Sequence, residues 1–288
     1  MTPNFPQRKI GDASVSAIGL GCMGMSVSLM LSTGRDEEEV FKTLTKAADL
    51  GITFWDTSDA YLDNEDVIGK WFRETGRRDE IFLATKFGLK RDNGKAEVIG
   101  RPEYVAEACQ KSLERLGIDR IDLYYQHRVD TTVPIEKTVE AMAQLVKQGK
   151  VRYLGLSECS AVTLRRACKV HQIAVCQMEY SPFALEVETT GFLDVARELG
   201  VKIVPYSPLG RGFLTGAIKS RADFDPQDPR LTMFPRFSEE NFAANLKLVD
   251  IFAEIAKEKS CTSGQAALAW VLSQGKGRCL YVLSVNSC

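Results

Sequence analysis

The sequence predicts an α/β fold built on a parallel sheet that curls toward a barrel, and three observations carry that prediction. Helical stripes ending in glycine alternate with short apolar runs along most of the chain, the pattern of strands joined by right-handed crossovers. Seven such strands fall before residue 210, so an eighth would close a barrel. Runs of this kind also end on, or just before, ionisable residues: Asp56 with Tyr61 close behind, then Lys86, then His127. Parallel neighbours would gather all four at one rim, where α/β folds place their chemistry.

Residues 7–17 read as a hairpin turning at Gly11-Asp12, ahead of a first short strand at Ile18-Gly19-Leu20. Asp36 caps a helix whose Val40, Leu44, Ala47 and Ala48 share a face, and Gly51 ends it before the strand Ile52 to Trp55. Ile81 to Thr85 is the next strand. Pro102 opens a helix with Val105, Cys109, Leu113 and Leu116 in a stripe, closed by Gly117 before a strand from Ile121 to Gln126. Pro134 opens another, striped by Ile135, Val139, Met142 and Val146, with Gly149 before the strand Val151 to Leu156. Ser160 caps a helix leading into Ile173 to Met178, and a helix through Phe192 and Val195 stops at Gly200 before Val201 to Tyr206. Residues 211–237, with Pro226, Pro229 and Pro235 among charges, form a connection long enough to suggest a functional lid. A long helix from Phe242 to Lys257 and a shorter one from Ser263 to Leu272 follow. Nothing marks a domain boundary, so residues 1–288 read as a single domain.

Composition narrows the partners. The 288 residues are 44% apolar, enough for a large core, and a net charge of −1 with mixed signs offers no field for nucleic acid and no basic run for membranes. Small molecules are the expected partners. Eight cysteines at irregular spacing form no C-x-x-C pair, and only two histidines accompany them, so neither a disulfide framework nor a metal site is expected. Reduced thiols suit a cytoplasmic protein. Residues 13–34 carry no charge, yet their glycines and serines interrupt every apolar run, and no span or signal peptide is expected there.

Gly19-Leu20-Gly21-Cys22-Met23-Gly24 spells a dinucleotide motif, but the next helix begins only near Asp36, so a strand entering a glycine-rich loop is the better reading. An Asp, Lys, Tyr or His at a strand end is by itself ordinary. Together the four suit one reaction. A tyrosine protonates a carbonyl oxygen readily if a neighbouring ammonium brings its pKa of about 10 toward neutral. Lys86 is that cation, Asp56 holds it charged, and a neutral His127 orients the carbonyl.

In order, WDTSDAY, ATKFG, DLYYQHRVD, GLSE, QMEYSPF, VPYSPLGRG and DPRLTMFPRFSEEN resemble the aldo-keto reductase family, most of all its fungal and plant branch, over about residues 7–274. The resemblance implies a (β/α)8 TIM barrel with an N-terminal hairpin and an incomplete last β/α unit. It also implies an NADPH-dependent reductase of aldehydes or ketones, with Tyr61 as acid, Lys86 and Asp56 as its tuning pair and His127 as the orienting group. For the cofactor it implies Ser157, Glu158 and Gln177 at the carboxamide, Tyr206 stacked on the nicotinamide, and Ser207, Pro208, Leu209, Gly210 and Arg211 around the pyrophosphate. A glycine-bearing loop after the seventh strand is where such barrels often hold phosphate.

Three departures qualify this. Glu158 stands where many relatives carry Asn. The loop after Tyr61 shrinks to Leu62-Asp63-Asn64-Glu65, which reshapes the expected substrate mouth. Beyond Leu280 the sequence offers an apolar run to Val285 that can serve as the eighth strand, but no family-like 2′-phosphate segment or closing helix. A nicotinamide-binding regulatory protein, like the potassium-channel β subunits that resemble this family, and an inactive truncated reductase are the rival readings. Oligomeric state is not legible.

Overall fold

The computed structural model describes residues 5–26, 36–92, 95–274 and, by backbone alone, 281–284. In chain order the strands and α-helices are β1 (Gln7–Ile10), β2 (Ala13–Ser16), β3 (Ile18–Gly21), α1 (Glu37–Asp49), β4 (Phe54–Asp56), α2 (Asn64–Thr75), β5 (Phe82–Phe87), β6 (Leu89–Asp92) and β7 (Lys95–Val98). There follow α3 (Pro102–Leu116), β8 (Ile121–Gln126), α4 (Ile135–Lys147), β9 (Val151–Ser157), α5 (Ala161–Val170), β10 (Ile173–Glu179), α6 (Glu186–Thr189), α7 (Phe192–Glu198) and β11 (Lys202–Tyr206). The last are α8 (Arg230–Met233), α9 (Glu239–Glu258), α10 (Ser263–Ser273) and β12 (Tyr281–Ser284).

Local chemistry sets the boundaries. Asp36 accepts a hydrogen bond from the Glu38 N–H and Ser160 from the Thr163 N–H, each satisfying a donor that a first helical turn leaves open. Pro102 occupies the first turn of α3, and Gly117 ends that helix at φ 65°, a left-handed conformation that costs glycine little. The stripes read from the sequence face inward: Val40, Leu44, Ala47 and Ala48 on α1, and Ile135, Val139 and Met142 on α4, are buried.

Eight parallel strands form one sheet in the order β11-β10-β9-β8-β5-β4-β3-β12, and β11 and β12 at its two ends also touch. The expected barrel is therefore present, with residues 281–284 pairing beside β3 as its eighth strand. Leu280 and the residues after Ser284 lie outside the described ones.

Alternation along the strands sorts side chains into two sets. Phe54, Phe82, Ala84, Leu123, Tyr125, Val175 and Val204 pack together in the interior, with Ile10 and Val15 of the β1–β2 hairpin in the same cluster. That hairpin lies at the strands' N-terminal ends, where Asp12 pairs with Arg152 at 2.9 Å. The opposite set, including Trp55, Leu83, Tyr124 and Cys176, packs under the helices. Two steps along each strand from the interior residues come Asp56, Lys86, His127, Gln177 and Tyr206.

Two features go beyond the sequence reading. β6 (Leu89–Asp92) and β7 (Lys95–Val98) pair antiparallel between β5 and α3. Residues 211–237, read as a long connection that suggests a lid, contain α8 and short 3-10 turns that fold around Phe213, Phe224 and Phe237, which pack with Phe242 and Val249 of α9 into a separate apolar cluster. Among the described residues no helix is long and apolar enough to cross a membrane.

Candidate active site

The interior alternation brings the predicted residues to one mouth. Asp56 ends β4, and its partner across the ladder is Ala84, two residues before Lys86 on β5. Lys86 is fully buried and forms an ion pair with the Asp56 carboxylate through Oδ1, while also donating to the Thr57 carbonyl at 2.8 Å. The other Asp56 oxygen accepts from Gln177 Nε2 at 2.8 Å. One carboxylate thus joins a residue expected to tune the acid with one expected at the cofactor.

Tyr61 lies over this pair, its ring centroid 5.2 Å from Lys86 Nζ and 5.8 Å from the His127 ring in an edge-on arrangement. His127 is buried, and its Nδ1 lies 3.0 Å from the Ser58 hydroxyl. Burial pushes the Tyr61 phenol above its ordinary value, with Lys86 pulling it back down. Lys86 would be lowered by its own burial, but the Asp56 carboxylate, with hydrogen bonding to Asp56 and Tyr61, outweighs that and leaves it raised, so it stays an ammonium. The expected downward tuning of Tyr61 is accordingly the weaker of two opposed effects. Desolvation wins, and the phenol keeps its proton at neutral pH, as a donor must.

The second predicted group lines the same rim. Ser157 ends β9, is buried, and accepts from Arg128 at 3.2 Å. Glu158 follows at φ 52°, unusual for a non-glycine residue, and its Oε1 accepts from the Glu179 N–H at 2.8 Å. Its carboxylate therefore links the ends of β9 and β10. Tyr206 closes β11, and Ser207 (φ 52°), Gly210 (φ 59°) and Arg211 (φ 59°) turn the chain tightly after it, with Pro208 buried between. Leu209 packs toward Leu214 and Phe252. Gly210 is needed for space as well as for its backbone, because a Cβ there would come within 2.9 Å of the Phe183 ring. Arg211 stacks over Phe234, 3.9 Å from its centroid, and lies 3.6 Å from Glu179, while its buried Nε has no hydrogen-bond partner among the described residues.

One expectation is corrected. Of Leu62-Asp63-Asn64-Glu65, only Leu62 and Asp63 form the shortened loop, because Asn64 and Glu65 are buried in the first turn of α2. Asn64 accepts from Thr57 Oγ1 at 2.5 Å and donates to the Cys22 carbonyl at 2.7 Å. Glu65 accepts from Thr85 at 2.6 Å and pairs with Arg115 at 3.2 Å. Both brace the strand ends rather than shape a mouth. Sequence reasoning passed over Ser58, Arg128 and Arg236, the last of which donates to Glu179 at 2.6 Å. Their place inside the quoted motifs WDTSDAY, DLYYQHRVD and DPRLTMFPRFSEEN was the available signal.

A fully buried ammonium held beside a phenol and an imidazole is an arrangement that delivers a proton to an oxyanion or carbonyl. The chain is 53% identical over 276 residues to the aldo-keto reductase str7 of Strobilurus tenacellus, and 50% identical over 278 residues to the NADP(+) aldo-keto reductase yakc of Schizosaccharomyces pombe. Each alignment covers 94% of this chain and 81% of the relative. Among solved structures, the glycerol dehydrogenase AKR11B4 of Gluconobacter oxydans superposes with a TM-score of 0.86 at 27% identity, over 97% of this chain and 86% of that one. The profile of the Aldo/keto reductase family matches residues 17–287, and the chain belongs to that family of oxidoreductases.

Proposed function

We propose that this chain, as one domain, is an NADPH-dependent reductase of aldehydes or ketones that runs in reverse as an alcohol dehydrogenase. The observation that carries the reading is the buried Asp56–Lys86 pair set against Tyr61 and His127 in one barrel mouth. A binding protein gains nothing from sinking a lysine into the barrel beside a tyrosine, whereas an acid catalyst does.

The residues present suit the cofactor. Ser157, Glu158 and Gln177 offer polar contacts for a carboxamide, and Tyr206 a ring face for stacking. The turn at Ser207, Pro208, Leu209, Gly210 and Arg211, with an Arg211 Nε that has no hydrogen-bond partner among the described residues, suits a pyrophosphate. When bound, NADPH supplies the hydride. The protein's own part is the proton. Tyr61 gives its phenolic proton to the carbonyl oxygen, and Lys86, fixed by Asp56 and the Thr57 carbonyl, stabilises the phenolate left behind. His127 donates a hydrogen bond that orients the carbonyl toward Tyr61. Burial of the cluster keeps water from competing for these donors.

The test is an NADPH titration followed by NADPH consumption over a panel of aldehydes and ketones, with wild type beside Tyr61→Phe. The variant should bind NADPH as wild type does while losing at least about 10²–10⁴-fold in reduction rate. Reduction at the wild-type rate by the variant would remove Tyr61 from its role.

A further inference from the structure

His127 can orient a carbonyl only if Nε2 carries the proton, since a neutral imidazole has one donor nitrogen and one acceptor. The partner of Nδ1 therefore matters. That partner is the Ser58 hydroxyl at 3.0 Å, which also lies 3.3 Å from Asp59 Oδ1 and receives the Ala60 N–H at 3.2 Å. A hydroxyl has one proton and two acceptor positions. One acceptor position is taken by Ala60, so the proton and the remaining lone pair must be divided between His127 and Asp59.

We propose that Ser58 and Asp59 are positioning residues that set the tautomer of His127, Asp59 determining through the Ser58 hydroxyl which ring nitrogen bears the proton. The inference rests on the reductase reading only for its effect on catalysis, because the hydrogen-bond logic stands alone. When Asp59 is ionised it can only accept. Ser58 then gives its proton to Asp59 and accepts from Nδ1–H, leaving Nε2 bare. When Asp59 is protonated it donates to Ser58, Ser58 donates to Nδ1, and Nε2 carries the hydrogen that a carbonyl needs. No proton is created or lost in the relay beyond the one Asp59 exchanges with solvent.

The surroundings bring this switch within the working range. Burial raises the Asp59 carboxyl to about 7, with the negative charge of Glu65 on α2 adding to it and Arg115 on α3 opposing. Arg115 also approaches the Asp59 carbonyl at 3.5 Å, and its Nη2 donates to the Leu62 carbonyl and to Asp66. Tyr104 on α3 and Tyr124 on β8 sense the Asp59 charge as well. From β5, the Lys86 carbonyl accepts the Asp59 N–H at 3.1 Å. The sign follows from the raised value: the Nε2–H form prevails below about 7 and is lost as pH rises. At about pH 8.5 only roughly 3% of a carboxyl titrating near 7 stays protonated, so reduction should fall about thirtyfold from its acid plateau.

The chain has only two histidines, which makes a direct test possible. Histidine-selective 15N labelling in a His171→Gln background isolates the His127 ring, whose Nδ1 and Nε2 shifts report the tautomer without reference to activity. Wild type should pass from Nε2–H at about pH 6 to Nδ1–H at about pH 8.5. Asp59→Asn, whose amide can donate to Ser58 at any pH, should hold Nε2–H throughout, and its reduction rate should lose the alkaline fall. Ser58→Ala should abolish the pH-dependent exchange. A wild-type ring that keeps one tautomer across this range overturns the relay, as does an Asp59→Asn ring that follows wild type. If a variant fails to fold, the wild-type titration alone decides. A tautomer exchange in a protein that reduces no carbonyl would instead sink the reductase reading and leave the relay standing.

Discussion

Replacing Lys86 with Met keeps the length of a fully buried side chain and removes its charge, so its consequences can be followed contact by contact. Three interactions disappear: the ion pair with Asp56, the 2.8 Å hydrogen bond to the Thr57 carbonyl, and the positive charge beneath the Tyr61 ring. Asp56 is left buried, with the Gln177 amide as its remaining side-chain hydrogen-bond donor among the described residues. Removing one member of a buried pair costs about 3–5 kcal/mol, against a total stability of about 5–15 kcal/mol. At about 2–4 °C per kcal/mol for large domains, the thermal midpoint should fall by on the order of 10 °C. Asp56→Asn added to Lys86→Met should recover part of that loss, because it removes the stranded charge. In catalysis, Tyr61 would keep the burial that raises its pKa and lose the cation that opposes it. Any residual reduction should therefore show the alkaline limb set by Tyr61 moved to higher pH and a rate lower by about 10²-fold or more. Thermal scans of the single and double variants and a pH profile of kcat check both halves. A Lys86→Met protein that melts with wild type and keeps its pH profile would refute the reasoning.

Two further outcomes are expected. Glu158→Asn should tighten NADPH binding about two- to tenfold, because Asn tolerates the left-handed backbone at this position better and its amide can donate as well as accept; unchanged or weaker binding in a fluorescence titration would count against a carboxamide contact here. Gly69→Ala should destabilise the protein by at least about 1–3 kcal/mol in chemical unfolding, because a Cβ on α2 would press on the Arg115 and Leu116 carbonyls of α3, which cannot move aside as a flexible side chain can.

The barrel was legible because its signals are local and repeated. Capping residues such as Asp36 and Ser160 mark helix starts, a left-handed glycine such as Gly117 marks an end, and the apolar stripes between them face the sheet. The candidate site residues meet at one mouth for a related reason. They lie in step with interior residues such as Phe54, Ala84, Leu123, Val175 and Val204, so a period of two carries them into the mouth. What escaped depended on contacts distant in sequence. The β6–β7 hairpin had a cue in Asn93-Gly94 between short alternating runs, but its charges hid the strands. Residues 211–237 were legible only as a long connection, because the cluster of Phe213, Phe224, Phe237 and Phe242 assembles only in three dimensions. Asn64 and Glu65 looked like loop residues because they are polar. Their partners, Cys22, Thr57, Thr85 and Arg115, lie on other elements, and no spacing rule finds them.

Those hidden partners also explain why the site holds its shape. Asp56 sits at the centre, one oxygen on Lys86 and the other on Gln177, so β4, β5 and β10 are tied across the barrel by a single carboxylate. Thr57 serves twice, its carbonyl accepting from Lys86 and its hydroxyl donating to Asn64, which binds the turn carrying Tyr61 to the start of α2. Ser58 then reaches His127 after β8, and Arg128 beside it reaches Ser157 at the end of β9. Some of these bonds join neighbouring strand ends, as Asp56–Lys86 and Arg128–Ser157 do, and others, Asp56–Gln177 and Ser58–His127, reach across the mouth. Such a network resists the rotamer changes that would otherwise separate Tyr61 from Lys86, since moving one member leaves a buried polar group unpaired at about 1–3 kcal/mol. The candidate catalytic groups are thus held by Thr57, Ser58, Asn64 and Arg128 as well as by the Asp56–Lys86 pair.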